Sequence, residues 1–233
     1  MRKQVTYSER LLGKGRMVAW QRLARFRHAA NAVRKYLPAS ERKDLLDIGA
    51  ADGIGLPFLK PLAERMLSVN YYEEHTQEFR AAHPSDPVMT ADVRSLPLDD
   101  HAYDVVVSFE TLHLLPGWGD REQAVHEIHR VLRPGGLFVF SVPIETGFAA
   151  LFKYFARRAT GNELDGMTFG LALKHALSTS KTVASLDDGH QVGFCAARFV
   201  SLVATRFEIR EQRPVPIRVL LPMNLLVAAR KQG

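Results

Sequence analysis

Cysteine is almost absent from this chain: Cys195 is the only one among 233 residues. That excludes an internal disulfide and any zinc site built on several thiolates, and it suits a reducing compartment. Long hydrophobic runs are missing too. No stretch approaches the roughly 18 apolar residues that span a bilayer, and the apolar C-terminal segment is interrupted at Pro222 and Asn224. The basic N-terminus lacks the continuous apolar stretch and cleavage site of a secretory signal, so a cytoplasmic protein is expected, at most peripheral to a membrane. Repeats and low-complexity tracts are lacking. So are zinc-finger spacing and the stacking-aromatic strands of RNA modules, and a nucleic-acid partner is not expected.

Acidic residues are scarce in one place only. The first 43 residues hold a dozen Lys and Arg against Glu9 and Glu41, which accounts for most of the net charge of +6. Such an arm could meet RNA, anionic lipid or an acidic substrate, or could simply be a solvated helix face. The rest is ordinary globular composition, 46% hydrophobic and 24% charged, enough for one well-buried α/β domain with extensions.

Leu23, Phe26, Ala30, Val33 and Leu37 recur at helical spacing, so the chain opens with an amphipathic helix over about 17–37. After "PAS" at 38–40, short apolar strands alternate with helical patterns. Strands are expected at "DLLDIG", "MLSVNYY", "PVMTAD", "YDVVVSF" and "LFVFSV"; helices at Leu56–Arg65, at Thr76–Ala82 and after an N-cap at Asp120. "RFEIREQRPVP" and "VLLPMNLLVAAR" read as two last strands joined by a Pro-rich turn. This alternation means βαβ units and a mostly parallel sheet covered on both faces. Ligands of such sheets bind beyond the carboxyl ends of the strands.

"DLLDIGAADGIGLPFL" places glycines between the first strand and the next helix, where backbone can approach a ligand and helix N–H groups lie unpaired. A dinucleotide fingerprint, G-x-G-x-x-G, fits neither from Gly49, where Ala51 and Ile54 intervene, nor from Gly53, where Phe58 does. A P-loop fails for want of its Lys-Ser or Lys-Thr. A tight βα turn without ligand remains open on this stretch alone.

"LLDIGAADG" resembles the first motif of class I S-adenosylmethionine-dependent methyltransferases, with Ala51 at the central glycine. The likeness continues in order through "VNYYEE", "TADVRSLPLDDHAYDVVVSFETLHLL" and "HEIHRVLRPGGLFVFSVP", about 100 residues from Leu45 to Pro143. It implies a doubly wound, seven-stranded α/β sheet with the last strand antiparallel. It divides the chain into a basic helical extension (1–43) and a methyltransferase domain (44–233), whose helical segment 147–190 would cover the substrate. The cofactor would be S-adenosylmethionine, with no metal.

By the same resemblance, Asp47 and the backbone of Gly49, Ala50, Ala51 and Gly53 would hold the cofactor's methionine end. Glu73, or its neighbour Glu74, would accept from the ribose hydroxyls, and Asp92 from the adenine amino group with the Val93 backbone facing the ring. Ser108 and Phe109 would lie beside the methyl-bearing part. Each has a plainer alternative: Asp47 and Asp92 as turn aspartates, Glu73 as a helix N-terminal acid, Phe109 as core. Methyl transfer to a hydroxyl is helped by a base. His113, just past "VVVSF", is the best placed histidine for it, though it could equally pack the loop, and His190 is a second candidate. His126 and His129 are expected on the surface. No N-P-P-Y or D-P-P-Y type motif follows the fourth strand, which argues against an amide or nucleobase nitrogen. The expected acceptor is a small molecule or a lipid- or glycan-linked group. The rival readings are an RNA methyltransferase using the basic arm and a protein that binds the cofactor without catalysis. The aromatic, basic stretch 147–161 could also lie on an anionic membrane.

Overall fold

The computed structural model describes residues 16–37, 43–144, 168–177, 194–217 and 221–232, together with Leu151, Tyr154, Phe155 and Arg158. Seven strands form one sheet: β1 (Asp44–Ile48), β2 (Arg65–Asn70), β3 (Val88–Thr90), β4 (Tyr103–Phe109), β5 (Leu132–Pro143), β6 (Phe207–Ile217) and β7 (Leu221–Lys231). Their order is β3-β2-β1-β4-β5-β7-β6. β1 to β5 pair in parallel, whereas β7 runs antiparallel to both its neighbours. The order reverses between β1 and β4, and a crevice opens there beyond the strand ends.

Burial explains the strands. Val105, Val106 and Val107 in β4 are all fully buried, because helices cover both faces and a central parallel strand has no polar side to show. The prolines at 214 and 216 lie in β6, the edge strand, where a missing N–H leaves no inner ladder bond unmade. The connection expected as a Pro-rich turn lies at 218–220, outside the described residues.

Helix α1 (Arg16–Tyr36) is built into the core. Phe26, Ala29, Ala32 and Val33 are buried against Leu45, Val105, Leu137 and Leu226 of the sheet. The short helix α2 (Leu56–Leu59) passes into a 3-10 turn at Lys60–Leu62. The longer helix expected to Arg65 is cut short: Pro61 brings no N–H to continue the α-helical ladder, and the backbone turns extended at Ala63. Helix α3 (Glu73–Ala82) starts three residues earlier than its apolar pattern suggests, with Glu73 and Glu74 as its first residues. Helix α4 (Trp118–Val131) is capped at Gly117, not Asp120. Asp120 stands three residues in and accepts from the Gly117 N–H at 3.1 Å. Helices α5 (Phe169–Leu177) and α6 (Ala196–Ala204) complete the described elements, and most of the expected insert 147–190 lies outside them. Among the described residues no helix is long and apolar enough to cross a membrane.

Candidate active site

The turn after β1 has unusual backbone. Gly49 has φ +82°, and a Cβ there would lie 2.0 Å from the Thr111 hydroxyl. Ala51, at the expected central glycine, is also left-handed, with φ 52°. A non-glycine residue holds that conformation only when its surroundings compel it. Asn70, at the end of β2, supplies the compulsion: its Oδ1 accepts from the Ala51 N–H at 2.8 Å and its Nδ2 donates to the Ala51 carbonyl at 2.9 Å. The Gly49 N–H donates to the Val69 carbonyl at 2.8 Å, so the turn is tied to β2 at two places.

A cavity of about 360 Å³ opens beside this turn, beyond the ends of β1, β2 and β4. Its size falls in the usual range of about 300–1,000 Å³ for small-molecule sites. Gly49, Ala51, Asp92, Val93 and Phe109, all expected site residues, line it. So do Asn70, Tyr71, Tyr72 and His75 on one side and Glu110, Thr111 and Leu114 on the other. Tyr71 and Tyr72 are more than half exposed, their rings edge to face at 5.0 Å.

At the far rim Asp92 is held by Arg94. The Arg94 Nε donates to both carboxylate oxygens at 3.0 Å, Nη2 donates to Oδ2 at 2.6 Å, and the Arg94 N–H donates to Oδ1 at 2.9 Å. These hydrogen bonds hold the Asp92 carboxyl below its ordinary pKa. Arg94 also reaches Asp120 through Nη1, which fixes the pair against the start of α4.

Asp47 sits behind the glycine turn and is 3% exposed. Burial pushes its pKa up to about 7, against a downward pull from Arg25 of α1. Arg25, Asp47, Gly49, Ala50, Ala51 and Phe109 border a small recess. Gly49, Ala51 and Phe109 are shared with the main cavity, so the recess adjoins it.

Glu110, immediately after β4, has φ 53°. Its N–H donates to the Ser141 carbonyl at 3.1 Å, and the Ser141 hydroxyl donates to its Oε1 at 3.0 Å. Another strained residue at the lip of the cavity is thus clamped by a neighbouring strand.

Other expected residues lie elsewhere. Glu73 accepts from the Thr90 hydroxyl at 2.5 Å and from Arg80 at 3.3 Å, and neither it nor the exposed Glu74 lines the cavity. The reason is local: β2 ends at Asn70, the two tyrosines take the turn, and the acids fall into the first turn of α3. Ser108 is buried within β4 and Gly53 lies against His83; neither borders the cavity. The His113 ring packs against Phe194 at 5.8 Å and is not a lining residue. Its carbonyl accepts from the buried Arg121 at 3.2 Å. His190 lies outside the described residues. His126 is exposed, as expected, but His129 is partly buried against Phe207 and burial lowers its pKa to about 4. Among the described residues no group of three His, Cys, Asp or Glu could hold a metal ion.

Sequence reasoning missed Arg25, Asn70, the tyrosine pair, Arg94 and Glu110. Asn70 had a signal, its position as the last strand residue before the turn. Arg25 had none beyond the charge of its helix.

A methyltransferase domain model matches residues 46–140. A protein of Mycolicibacterium smegmatis, named as a probable S-adenosylmethionine-dependent methyltransferase, is 36% identical over 107 residues, or 46% of this chain and 40% of the relative. A malonyl-[acyl-carrier protein] O-methyltransferase of Enterobacter lignolyticus is 29% identical over 116 residues, covering 49% of this chain and 45% of the relative. The chain thus matches less than half the length of these curated relatives. The solved structure of a Pyrococcus horikoshii protein shares the fold, with a TM-score of 0.64 at 15% identity over 97% of this chain and 98% of that one. The glycine turn, the strand order and the matched region agree: over residues 46–140 the chain is similar to the methyltransferase domain of S-adenosylmethionine-dependent methyltransferases.

Proposed function

We propose that the protein transfers a methyl group from S-adenosylmethionine to a hydroxyl of a small-molecule or lipid-linked acceptor. The observation that carries this reading is the cavity itself, bounded by the left-handed glycine turn at one end and by Asp92 and Val93 at the other. A nucleoside with an amino-acid tail fits that arrangement. Val93 presents backbone and an apolar surface to a base, Asp92 keeps acceptor capacity for an amino group, and the turn lets a polar tail approach main chain.

The cofactor supplies an electrophilic methyl on a positively charged sulfur. This chain's part is to align the acceptor and exclude water, which alone accounts for large rate effects when the geometry is right. Phe109 and Thr111 form the floor near the glycine turn, and Leu114, Leu115 and Pro116 extend it as an apolar wall. An apolar wall favours an acceptor with a hydrocarbon part. A relative is named as a malonyl-[acyl-carrier protein] O-methyltransferase, which supports oxygen as the target here.

For the base, Glu110 borders the cavity whereas His113 packs on Phe194. His113→Ala should therefore leave turnover within about threefold, while Glu110→Gln should lower it by about tenfold or more. The RNA alternative gains nothing from the described part of the basic arm, since helix α1 is docked on the sheet and its Lys35 pairs with Glu211 at 2.9 Å. Calorimetric titration with S-adenosylhomocysteine, using NAD as control, tests the cofactor reading. Micromolar binding of the first alone is expected; binding of NAD, or of neither, would sink it. Transfer of labelled methyl groups to hydroxylated and acyl-linked acceptors then tests the class of substrate.

A further inference from the structure

We infer that helix α5, together with Phe155 and Arg158, is a docking face for an anionic lipid surface, on which the protein lies without crossing the bilayer. This face concerns where the protein lies and is independent of which cofactor it binds.

Eight large apolar side chains stand out as exposed among the described residues, and four of them, Phe155, Phe169, Leu173 and Leu177, fall on this one part of the chain. Tyr71, Tyr72 and Leu114 line the cavity, where a ligand would shield them, and Trp20 belongs to α1. Phe169, Leu173 and Leu177 follow at four-residue steps, so they form a single row along α5. The Phe155 ring lies 6.1 Å from that of Phe169 and widens the row at its start. On its other side the helix is seated: Ala172 is fully buried against Tyr154, itself 7% exposed, and Leu151 packs on both. The fold has therefore used one side of α5 and left a contiguous apolar face outside, with Leu177 79% exposed. A face of that kind marks a contact with a protein or with a membrane.

Charge chooses between the two. Helix α5 carries no acidic residue, and the exposed cations beside the row are Arg158, three residues on from Phe155, and Lys174, next to Leu173. Lysine is depleted from protein interfaces. A row of Phe and Leu flanked by Arg and Lys suits the boundary of an anionic bilayer instead: the apolar side chains enter the acyl region, and the long basic stems keep their charges among the lipid phosphates. Nine residues make a helix of about 14 Å, less than half of the roughly 30 Å hydrocarbon core. Helix α5 is therefore suited to lie in the interface and too short to span it. An acceptor with a hydrocarbon part would be met at the same surface.

Flotation of the full chain with vesicles tests the face. Binding to phosphatidylglycerol and phosphatidylcholine in equal parts should be at least about tenfold tighter than to phosphatidylcholine alone, and should weaken as salt rises. The double variant Leu173→Ser, Leu177→Ser should bind the mixed vesicles at least about tenfold more weakly. Arg158→Gln with Lys174→Gln should lose the preference for phosphatidylglycerol, since each cation near such a surface strengthens binding by about fivefold. Both variants should keep the wild-type melting temperature, because the altered side chains are exposed. Should Leu173→Ser unsettle the helix, Leu177→Ser alone, at the last residue of α5, still decides, with an expected loss of at least about threefold. Equal binding to both kinds of vesicle, or to neither, would overturn the assignment. So would binding that survives both sets of substitutions, which would move the lipid contact to another basic surface such as the N-terminal residues. A dimer formed without lipid and broken up by the leucine variant would overturn it too, and would make the row a contact between copies of this chain.

Discussion

Two aspartate–arginine pairs stand at opposite ends of the cavity, and they are built in opposite ways. Asp92 and Arg94 are two residues apart, each about 30% exposed, and joined by four hydrogen bonds. Asp47 and Arg25 come from different elements, are almost fully buried, and leave the guanidinium Nε without a partner. The first acid is held below its ordinary pKa by Arg94; the second is pushed up to about 7 by burial. A satisfied pair is a finished part of the frame. An unsatisfied one stores unfavourable free energy inside the fold, the usual cost of a buried charge without its full set of hydrogen bonds.

The largest expected effect comes from removing the buried charge. The folded pKa of Asp47, about 7, lies above its unfolded value of 3.8, so between these values the folded state holds a proton that the unfolded state has released. Stability therefore falls as pH rises through that window and levels off above about pH 7. The slope contributed by this one group approaches about 1.4 kcal/mol per pH unit. Asp47→Asn removes the slope. The difference in melting temperature between variant and wild type should shift in the variant's favour from pH 4 to pH 7 and then hold constant. Parallel melting curves across that range would mean that Asp47 is hydrated, and the contrast between the two pairs would collapse. Affinity of wild type for S-adenosylhomocysteine should also fall as pH drops below 7, because a neutral Asp47 no longer attracts an ammonium.

Asp92→Ala should act on binding more than on the fold. Losing a charged acceptor for the adenine amino group should weaken S-adenosylhomocysteine by about 1–3 kcal/mol. The fold should tolerate the change, because Arg94 keeps Asp120 and partial access to water. A loss of stability as large as the loss of affinity would make this pair structural too.

A smaller effect is expected at the clamp on the glycine turn. Asn70→Ala leaves the left-handed Ala51 without its two side-chain hydrogen bonds, each worth about 1 kcal/mol net. Adding Ala51→Gly should recover part of the loss, since glycine adopts φ 52° without strain. No recovery in the double variant would show that the strain lies elsewhere.

These residues also mark how far the sequence could be read. The α/β alternation, the glycine turn and the placing of Asp92 and Phe109 near strand ends beside the cavity were legible because each is a local pattern, periodicity or motif spacing within a few residues. Arg25 faces Asp47 across 22 positions of sequence, Asn70 clamps Ala51 across 19, and Ser141 holds Glu110 across 31. Such contacts are made by the sheet's strand order, which brings β1 between β2 and β4 and leaves no trace in local spacing. Arg25 in particular looked like one of many charges on a solvated helix face. Only the docking of Phe26 against Phe58 and Phe109 turns it inward.

The smallest expected effect concerns Glu73, the acid that resemblance suggested for the ribose. It is the first residue of α3, exposed, and engaged by Thr90 and Arg80. The strand end that faces the cavity carries Asn70, Tyr71 and Tyr72 instead. Glu73→Ala should leave the affinity for S-adenosylhomocysteine within about twofold, whereas Tyr72→Ala, which removes an exposed ring at the mouth, should lower it by about three- to tenfold through lost stacking and packing area. The reverse order, a large loss at Glu73 and none at Tyr72, would mean that α3 unwinds its first turn to bring the carboxylate to the ribose. That outcome would also make the ribose end of the cavity a place where the ligand completes what the fold leaves open.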